Sequence, residues 1–372
     1  MPQATCVFSQ THRFEDWASA ATRFGVLLSS PTPRSIARWH STAFVSALRR
    51  LRETGRFDAV VASRPALADM AGEAGFPRIL VDLPDLESAM MRRALSSMPG
   101  YKSKFIDWAE MAKLRAYDAK LTSRFWRVSA CKDEERHFFG GVGADKVFLI
   151  PNGTESFPRS SPYDEVPGEL LFVGSLFYSP NIDAVTFFHR KIFPIIRDSV
   201  PHARFRIVGM NPHDDVARMD NGGDCIVNAS VEDLEPYYAA AQVVVVPMRL
   251  GAGSKLKVVE ALARGKALVS TTFGAEGFDL RPGVDLEIGD TAEEFAAHCS
   301  RLLHDDAERE RLSANGRARV IEHYSWKSIQ EAMLDALRAN APAPIDSKAL
   351  LSTRTRTVPF QTDNRDSSPH AR

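Results

Sequence analysis

Arg249, Lys255, Lys257 and Glu260 fall within one twelve-residue stretch, Arg249-Leu-Gly-Ala-Gly-Ser-Lys-Leu-Lys-Val-Val-Glu260. The three cations suit an anion. A carboxylate such as Glu260 can accept hydrogen bonds from a ribose diol, as acidic residues do in dinucleotide folds. Gly251 and Gly253 sit among the cations and allow a ligand close to the backbone. The set suits a nucleoside diphosphate, with cations on the phosphates and the glutamate on the ribose.

The flanking sequence supplies the frame. Val243-Val-Val-Val-Pro247 reads as a buried strand. Ser254 is a good N-cap and Gly265 a good residue just past a helix end, which brackets a helix of about ten residues. On that helix Val258, Val259 and Leu262 share one side, and Lys257, Glu260 and Arg264 the other. The free amides of the helix start add to the anion site. The spacing also fits ordinary surface pairs, Lys257 with Glu260 and Glu260 with Arg264. Glycines and three cations gathered at one helix start favour the binding reading.

Two further loops follow strand-like runs. Phe172-Val-Gly-Ser-Leu176 ends a strand at Gly174, beside Ser175, and a helix starts near Asn181. A strand also ends at Gly209. Thr271-Thr-Phe-Gly-Ala-Glu-Gly277 brings Gly274 and Glu276 toward the same crevice. Two nucleotide motifs fail. Gly265-Lys266 lacks the first P-loop glycine and the following Ser/Thr, and Gly251-Ala-Gly253 has Leu256 where a third glycine belongs.

The rest of the chain must position these loops. In the second half, runs at 170–174, 204–209, 225–228, 243–247, 267–271 and 286–289 alternate with helical patterns at 183–199, 231–241, 255–264 and 292–303. Continuous apolar strands alternating with helices predict a parallel sheet covered on both faces. The first half repeats the pattern more faintly, with strands near 24–30, 57–63, 78–83, 126–131 and 146–150, and a further one at 5–10. Helices are expected at 35–54 and 105–122. The proline-rich stretch Pro151–Gly168 reads as a linker. The predicted division is 1–155, 156–340 and a polar, disordered tail at 341–372.

Composition narrows the class. The chain has 372 residues, 44% hydrophobic and 25% charged, which is ordinary for a globular protein of two domains. Net charge is zero, but residues 1–150 carry a balance of +6 and residues 151–340 a balance of −8. No apolar run is long enough to span a membrane, and no secretory signal is visible. The cysteines Cys6, Cys131, Cys225 and Cys299 form no CxxC pair, which fits reduced thiols in a cytoplasm. Residues 92–136 hold 11 basic and 6 acidic residues, interleaved with Tyr101, Phe105, Trp108, Tyr117, Phe125 and Trp126. Such a segment suits peripheral contact with anionic lipid at the inner face of a membrane. Against that, Phe105, Trp108 and Ala112 share a helix face and read as core. No recognition motif accompanies the segment, so nucleic acid is not expected.

These blocks resemble the family-4 glycosyltransferases. The resemblance runs through Phe172-Val-Gly-Ser-Leu176, Pro180-Asn181-Ile-Asp-Ala184, Ile207-Val-Gly209, Tyr237-Tyr-Ala239, Arg249–Gly265, Ser270–Gly277 and Tyr324-Ser-Trp326, over about 155 residues. A fainter match covers Phe57–Val61, Val81–Ser88 and Ile150–Gly153. It implies an α/β chain of the GT-B fold, with two Rossmann-like domains facing a cleft. It further implies sugar transfer from a UDP- or GDP-sugar to a glycan or lipid-linked acceptor, with retention and without a metal or other cofactor. By resemblance, Glu260 binds the ribose, and Lys257 with Arg249 and Lys255 holds the diphosphate. Gly174, Ser175, Gly209, Gly251, Gly253, Ser254, Gly274 and Glu276 complete the donor site.

Three departures stand out. Ala252 occupies the position of a first glutamate, and Ser175-Leu-Phe-Tyr-Ser-Pro180 replaces an Arg/Lys pair. An Arg-x-Gly-x-Gly subgroup shares these features. No Gly-rich loop opens the chain, so the first strand and loop of the N-terminal domain are expected to be missing. Pro84 stands near the usual active-site histidine, flanked by Asp82 and Asp85. Asp85 joins Lys257 as a candidate catalytic residue. The alternative is a sugar-nucleotide-binding relative with impaired catalysis.

Overall fold

The computed structural model describes residues 31–97, 104–140, 144–159, 165–251 and 255–339. Two parallel sheets organise them. The first runs β1-β2-β3-β4, from Val60–Ala62, Ile79–Leu83, Arg127–Ala130 and Val147–Leu149. All four match strands expected from the sequence. The expected strands at 5–10 and 24–30, the question of a missing first strand, and the tail lie outside the described residues.

The second sheet has the order β10-β9-β8-β5-β6-β7. Its strands are β5 Glu169–Val173, β6 Arg204–Gly209, β7 Cys225–Ala229, β8 Val243–Val246, β9 Ala267–Ser270 and β10 Glu287–Ile288. β5, β8 and β9 are buried at every residue, as continuous apolar runs require. Leu170 of β5 registers with Val243 of β8, and Phe172 with Ile207 of β6. The chain starts mid-sheet at β5, runs outward through β6 and β7, then returns to β8 on the other side of β5. Loops leaving β5 and β8 therefore diverge, and the crevice between them is the topological switch point where open α/β sheets bind ligands.

Helices depart from the sequence reading in instructive ways. The run expected at 35–54 is broken. A short turn, Arg34–Ala37, precedes α1, Thr42–Thr54, which starts where the Ser41 hydroxyl accepts from the Phe44 N–H at 3.2 Å. The helix expected at 105–122 is α2, Lys104–Asp118, with a separate turn Leu121–Arg124. Its core face is not the expected one. Trp108 is 45% exposed, whereas Glu110, Leu114, Tyr117 and Asp118 are buried. Two carboxylates win that face because each receives backbone N–H groups: Glu110 from Arg34 and Ser35, and Asp118 from Ser88 at 3.1 Å. A periodicity that counts only apolar residues misses them.

The helix expected at 183–199 begins earlier, as α3, Ser179–Phe187. It widens by a turn over Phe188–Ile192 and continues as Phe193–Ser199. There Phe193 N–H bonds Phe188 O, five residues back, and Pro194, without an N–H, leaves the Arg190 carbonyl without its usual donor. α4 spans Leu256–Ala263 in the second unit. The last helix, α5, Trp326–Arg338, packs Ile329 and Ala336 against Leu80 and Ile150. The sequence division assigned these residues to the second unit, yet the chain returns to the first. Thr154 N–H donates to Tyr324 O at 2.8 Å, and Trp326 N–H to Thr154 O at 3.1 Å, where the two crossings lie side by side.

Candidate functional site

The crevice between β5 and β8 is lined by the loop after Gly174 and by α4. The N-cap of α4 is Lys255, one residue later than expected, and its side chain makes no cap bond. Gly253 and Ser254 lie outside the described residues. The Lys255 side chain is buried, 3.4 Å from a Glu276 carboxylate oxygen and 3.8 Å from the Phe273 ring centre. Gly265 follows the C-cap Arg264 with φ +72°, as its role at the helix end requires.

Lys257 projects from α4 beneath the Gly174 loop. Its Nζ donates to Asn181 Oδ1 at 2.7 Å and lies 4.1 Å from the centre of the Phe172 ring. Burial pushes its pKa down to about 7, against the pull of Glu260. A Cβ on Gly174 would stand 2.9 Å from both Lys257 Nζ and Asn181 Nδ2. Glycine is thus what lets the backbone lie directly on the ammonium. Gly209 serves the same close packing, since a Cβ there would meet the Gly174 carbonyl oxygen at 1.7 Å. Glu260 stands one turn further along α4, half-buried. Among the described residues nothing hydrogen-bonds to its carboxylate; Arg264 uses only its backbone carbonyl, at 3.0 Å.

Arg249 forks onto Asp183 of α3, at 2.7 and 3.2 Å, with its guanidinium 4.0 Å from the centre of the Phe187 ring. Gly251, at φ +124°, brings this loop against Pro180. Gly274 is buried against β8; a Cβ there would meet the Val246 carbonyl oxygen at 2.7 Å. Thr271 Oγ1 accepts its N–H at 2.9 Å. Arg264 is turned away from the crevice. It bonds Glu235 at 2.8 Å and sits between Phe157 and Tyr238, fastening the far end of α4.

The first sheet's carboxyl edge carries Asp85. Lys132 Nζ donates to Asp85 at 2.9 Å, with only 3% of the lysine side chain exposed. Cys131 and Glu135 adjoin, and ligand atoms of Asp85, Cys131 and Glu135 lie within 4.8 Å of one another. Such a spacing could hold a metal, but each group already has a partner. The Cys131 thiol donates to Pro84 O at 2.7 Å, and Glu135 accepts from Leu86 N–H at 3.1 Å. Burial pushes Glu135 and Cys131 above their ordinary ranges. The Lys132 stem lies against Gly277, where a Cβ would meet its Cε at 2.9 Å. So Asp85, through Lys132, touches the loop that carries Glu276. Lys132, Asn181 and Asp183 were not singled out from sequence. Asn181 and Asp183 did appear in the block Pro180-Asn181-Ile-Asp-Ala184, as part of the resemblance and without a role of their own.

Two parallel units with a donor-like crevice at a switch point invite comparison with known proteins. Residues 167–305 match the family model described as Glycosyl transferases group 1. This group 1 region contains β5 through β10 and every donor-site residue named above. An uncharacterized 44.6 kDa protein in the cps region of Klebsiella pneumoniae is 26% identical over 169 residues, 43% of each chain. The MMP alpha-(1->4)-mannosyltransferase of Mycolicibacterium hassiacum is 35% identical over 103 residues, 27% of this chain and 25% of that one. The chain thus matches less than half the length of these two relatives. Among solved structures, a mutant of S. aureus TarM in complex with Fondaparinux, alpha-GlcNAc-glycerol and UDP superposes with a TM-score of 0.59. That match has 12% identity and covers 79% of this chain and 59% of TarM. The fold is therefore that of the GT-B glycosyltransferases. Among the described residues no helix is long and apolar enough to cross a membrane.

Proposed function

We propose that the chain is a retaining glycosyltransferase that moves a sugar from a UDP- or GDP-sugar to a glycan or lipid-linked acceptor, in polysaccharide biosynthesis. The observation that carries this reading is the pairing on α4 of a desolvated ammonium, Lys257, with Glu260, whose carboxylate has no hydrogen-bond partner among the described residues. Glu260 accepts the ribose hydroxyls. Lys257 meets the diphosphate where the Gly174 backbone leaves room, and Arg249 adds a second cation from the loop once a phosphate draws it from Asp183. These cations stabilise the negative charge that develops on the leaving diphosphate, so no metal is required. TarM, solved with UDP, supports the nucleotide type by analogy alone. Asp85 faces the acceptor side as the candidate base. The chain works in the cytoplasm, with residues 92–136 touching the membrane's inner face; exposed Trp108 supports that contact.

Calorimetry with UDP and GDP, followed by a donor-hydrolysis screen, tests the reading. Glu260→Ala is expected to weaken nucleotide binding at least tenfold, the scale of a lost charged hydrogen bond. Absence of binding by the unaltered chain would remove the donor site. The second reading, a binding relative without turnover, is favoured by the Asp85–Lys132 ion pair and by Pro84 beside it. Tight binding with no transfer would select it.

A further inference from the structure

The Lys257 ammonium has two side-chain acceptors from other segments among the described residues, the Asn181 amide and, at 4.0 Å, the weak Met248 thioether. Among the described residues, Asn181 Oδ1 is the only oxygen within hydrogen-bond reach of it, at 2.7 Å. The other end of the same amide is committed, because Asn181 Nδ2 donates to the Ser175 carbonyl at 2.9 Å. That second bond fixes which way the amide faces. Asn181 is buried and stands in the first turn of α3, on a rigid element. A Cβ on Gly174 would press on both groups, 2.9 Å from Asn181 Nδ2 and from Lys257 Nζ, so glycine there leaves the arrangement undisturbed.

We propose that Asn181 is a positioning residue of the donor site, holding the Lys257 ammonium and the Ser175 carbonyl in one fixed arrangement beneath the phosphates. The proposal rests on the nucleoside-diphosphate reading above. Its physical content is separable from that reading. An amide oxygen aimed at a desolvated ammonium favours the charged form, which burial alone opposes. Glu260 is the charged group that acts on Lys257 in the same direction. Asn181 therefore keeps the lysine charged and aimed before any ligand arrives, and the phosphate meets a pre-ordered cation.

Lysine labelled with 13C at Cε makes the test direct, with the Lys257 signal assigned through Lys257→Gln. In the unaltered chain the titration midpoint is expected near 7. Asn181→Asp, of the same shape, should raise the midpoint by about one pH unit or more, by placing a negative charge on the ammonium. Asn181→Leu should lower it and cost about tenfold in UDP affinity at pH 8.5, with a smaller loss at pH 6.5. If Asn181→Leu does not fold, Asn181→Asp alone decides. A midpoint unmoved in the folded variants overturns the proposal, even if both lose thermal stability. A midpoint that moves in a chain binding neither UDP nor GDP keeps the Asn181–Lys257 coupling and overturns the nucleotide reading instead.

Discussion

Each sheet's carboxyl edge carries a lysine and carboxylates in opposite states, Lys257 with Glu260 on the second and Lys132 with Asp85 on the first, although Arg249 with Asp183 and Lys255 with Glu276 are ion pairs on the second edge too. On the second sheet, Lys257 lies against Phe172 with Asn181 as its amide acceptor, and among the described residues nothing hydrogen-bonds to the Glu260 carboxylate. On the first sheet, Asp85 is matched by Lys132, and Glu135 accepts from the Leu86 N–H. Desolvated charge without full compensation is costly, and a charged ligand can offset that cost. Charge already compensated gives a ligand nothing to offset and must break a pair before it acts. At the first edge Asp85 and Lys132 hold each other, whereas Lys257 and Glu260 at the second keep charge that a ligand could compensate.

Crowding the second edge should produce the largest effect. Gly209→Ala places a methyl group 1.7 Å from the Gly174 carbonyl oxygen, and backbone cannot swing aside as a side chain can. The expected cost is about 3 kcal/mol, the upper range for overpacking. Urea unfolding measures it. A loss under about 1 kcal/mol would show that the Gly174 loop is soft rather than tightly set.

The first unit also holds buried carboxyls that are less fully compensated. Asp118 is buried with Ser88 as its donor, through the N–H and the side chain, and burial raises its pKa to about 6 from 3.8. A raised carboxyl pKa means the fold holds the proton more tightly than the unfolded chain. Stability therefore falls as pH rises from about 4 to about 6, and the penalty stays constant above that. Asp118→Asn keeps an acceptor for the Ser88 N–H and removes the charge. It is expected to stabilise the chain by about 2 kcal/mol at pH 7, and little at pH 4. Melting temperatures at the two pH values check this. An equal gain at both would show that charge is not the cause.

Next comes the pH dependence of binding. With Lys257 at about 7, the empty site loses its charge as pH rises through neutrality. If the bound lysine is protonated, UDP affinity falls about tenfold per pH unit above 7, and binding takes up a proton. Calorimetry from pH 6 to 9, in buffers of different ionisation heat, reads both. Lys257→Arg should flatten the profile, because a guanidinium stays charged throughout. A flat profile in the unaltered chain would place the phosphate elsewhere.

These features were unequally legible. Strands β5, β8 and β9 announced themselves because strands buried on both faces read as unbroken apolar runs. The same logic exposed α4, whose apolar side must face them. The start of α4 was misread: Ser254 is the better cap by type, but the Lys255–Glu276 pair and the Phe273 ring hold Lys255 outside the helix. The core face of α2 was misread for a related reason. Glu110 and Asp118 are buried by bonds to distant N–H groups, and sequence spacing carries no trace of a partner thirty or more residues away. Asn181 and Asp183 were passed over for the same cause. Each gains its meaning from a cation some seventy residues on.

The smallest expected effect is the sharpest test of the contrast between the edges. Asp85 belongs to the first sheet's edge, and Lys257 to the second's. The described route between them is indirect: Asp85 to Lys132, the Lys132 stem to Gly277, then Glu276 to Lys255. If the donor site is complete on its own sheet, Asp85→Asn should change UDP affinity by less than about twofold, because separated sites act additively. Turnover with an acceptor should nevertheless fall at least tenfold if Asp85 serves as base, a modest share of general-base catalysis. Conversely, a tenfold loss of UDP affinity would mean that the Lys132 contact on Gly277 sets the Glu276–Lys255 pair. In that case the compensated edge is not passive, and the two sheets form one donor site.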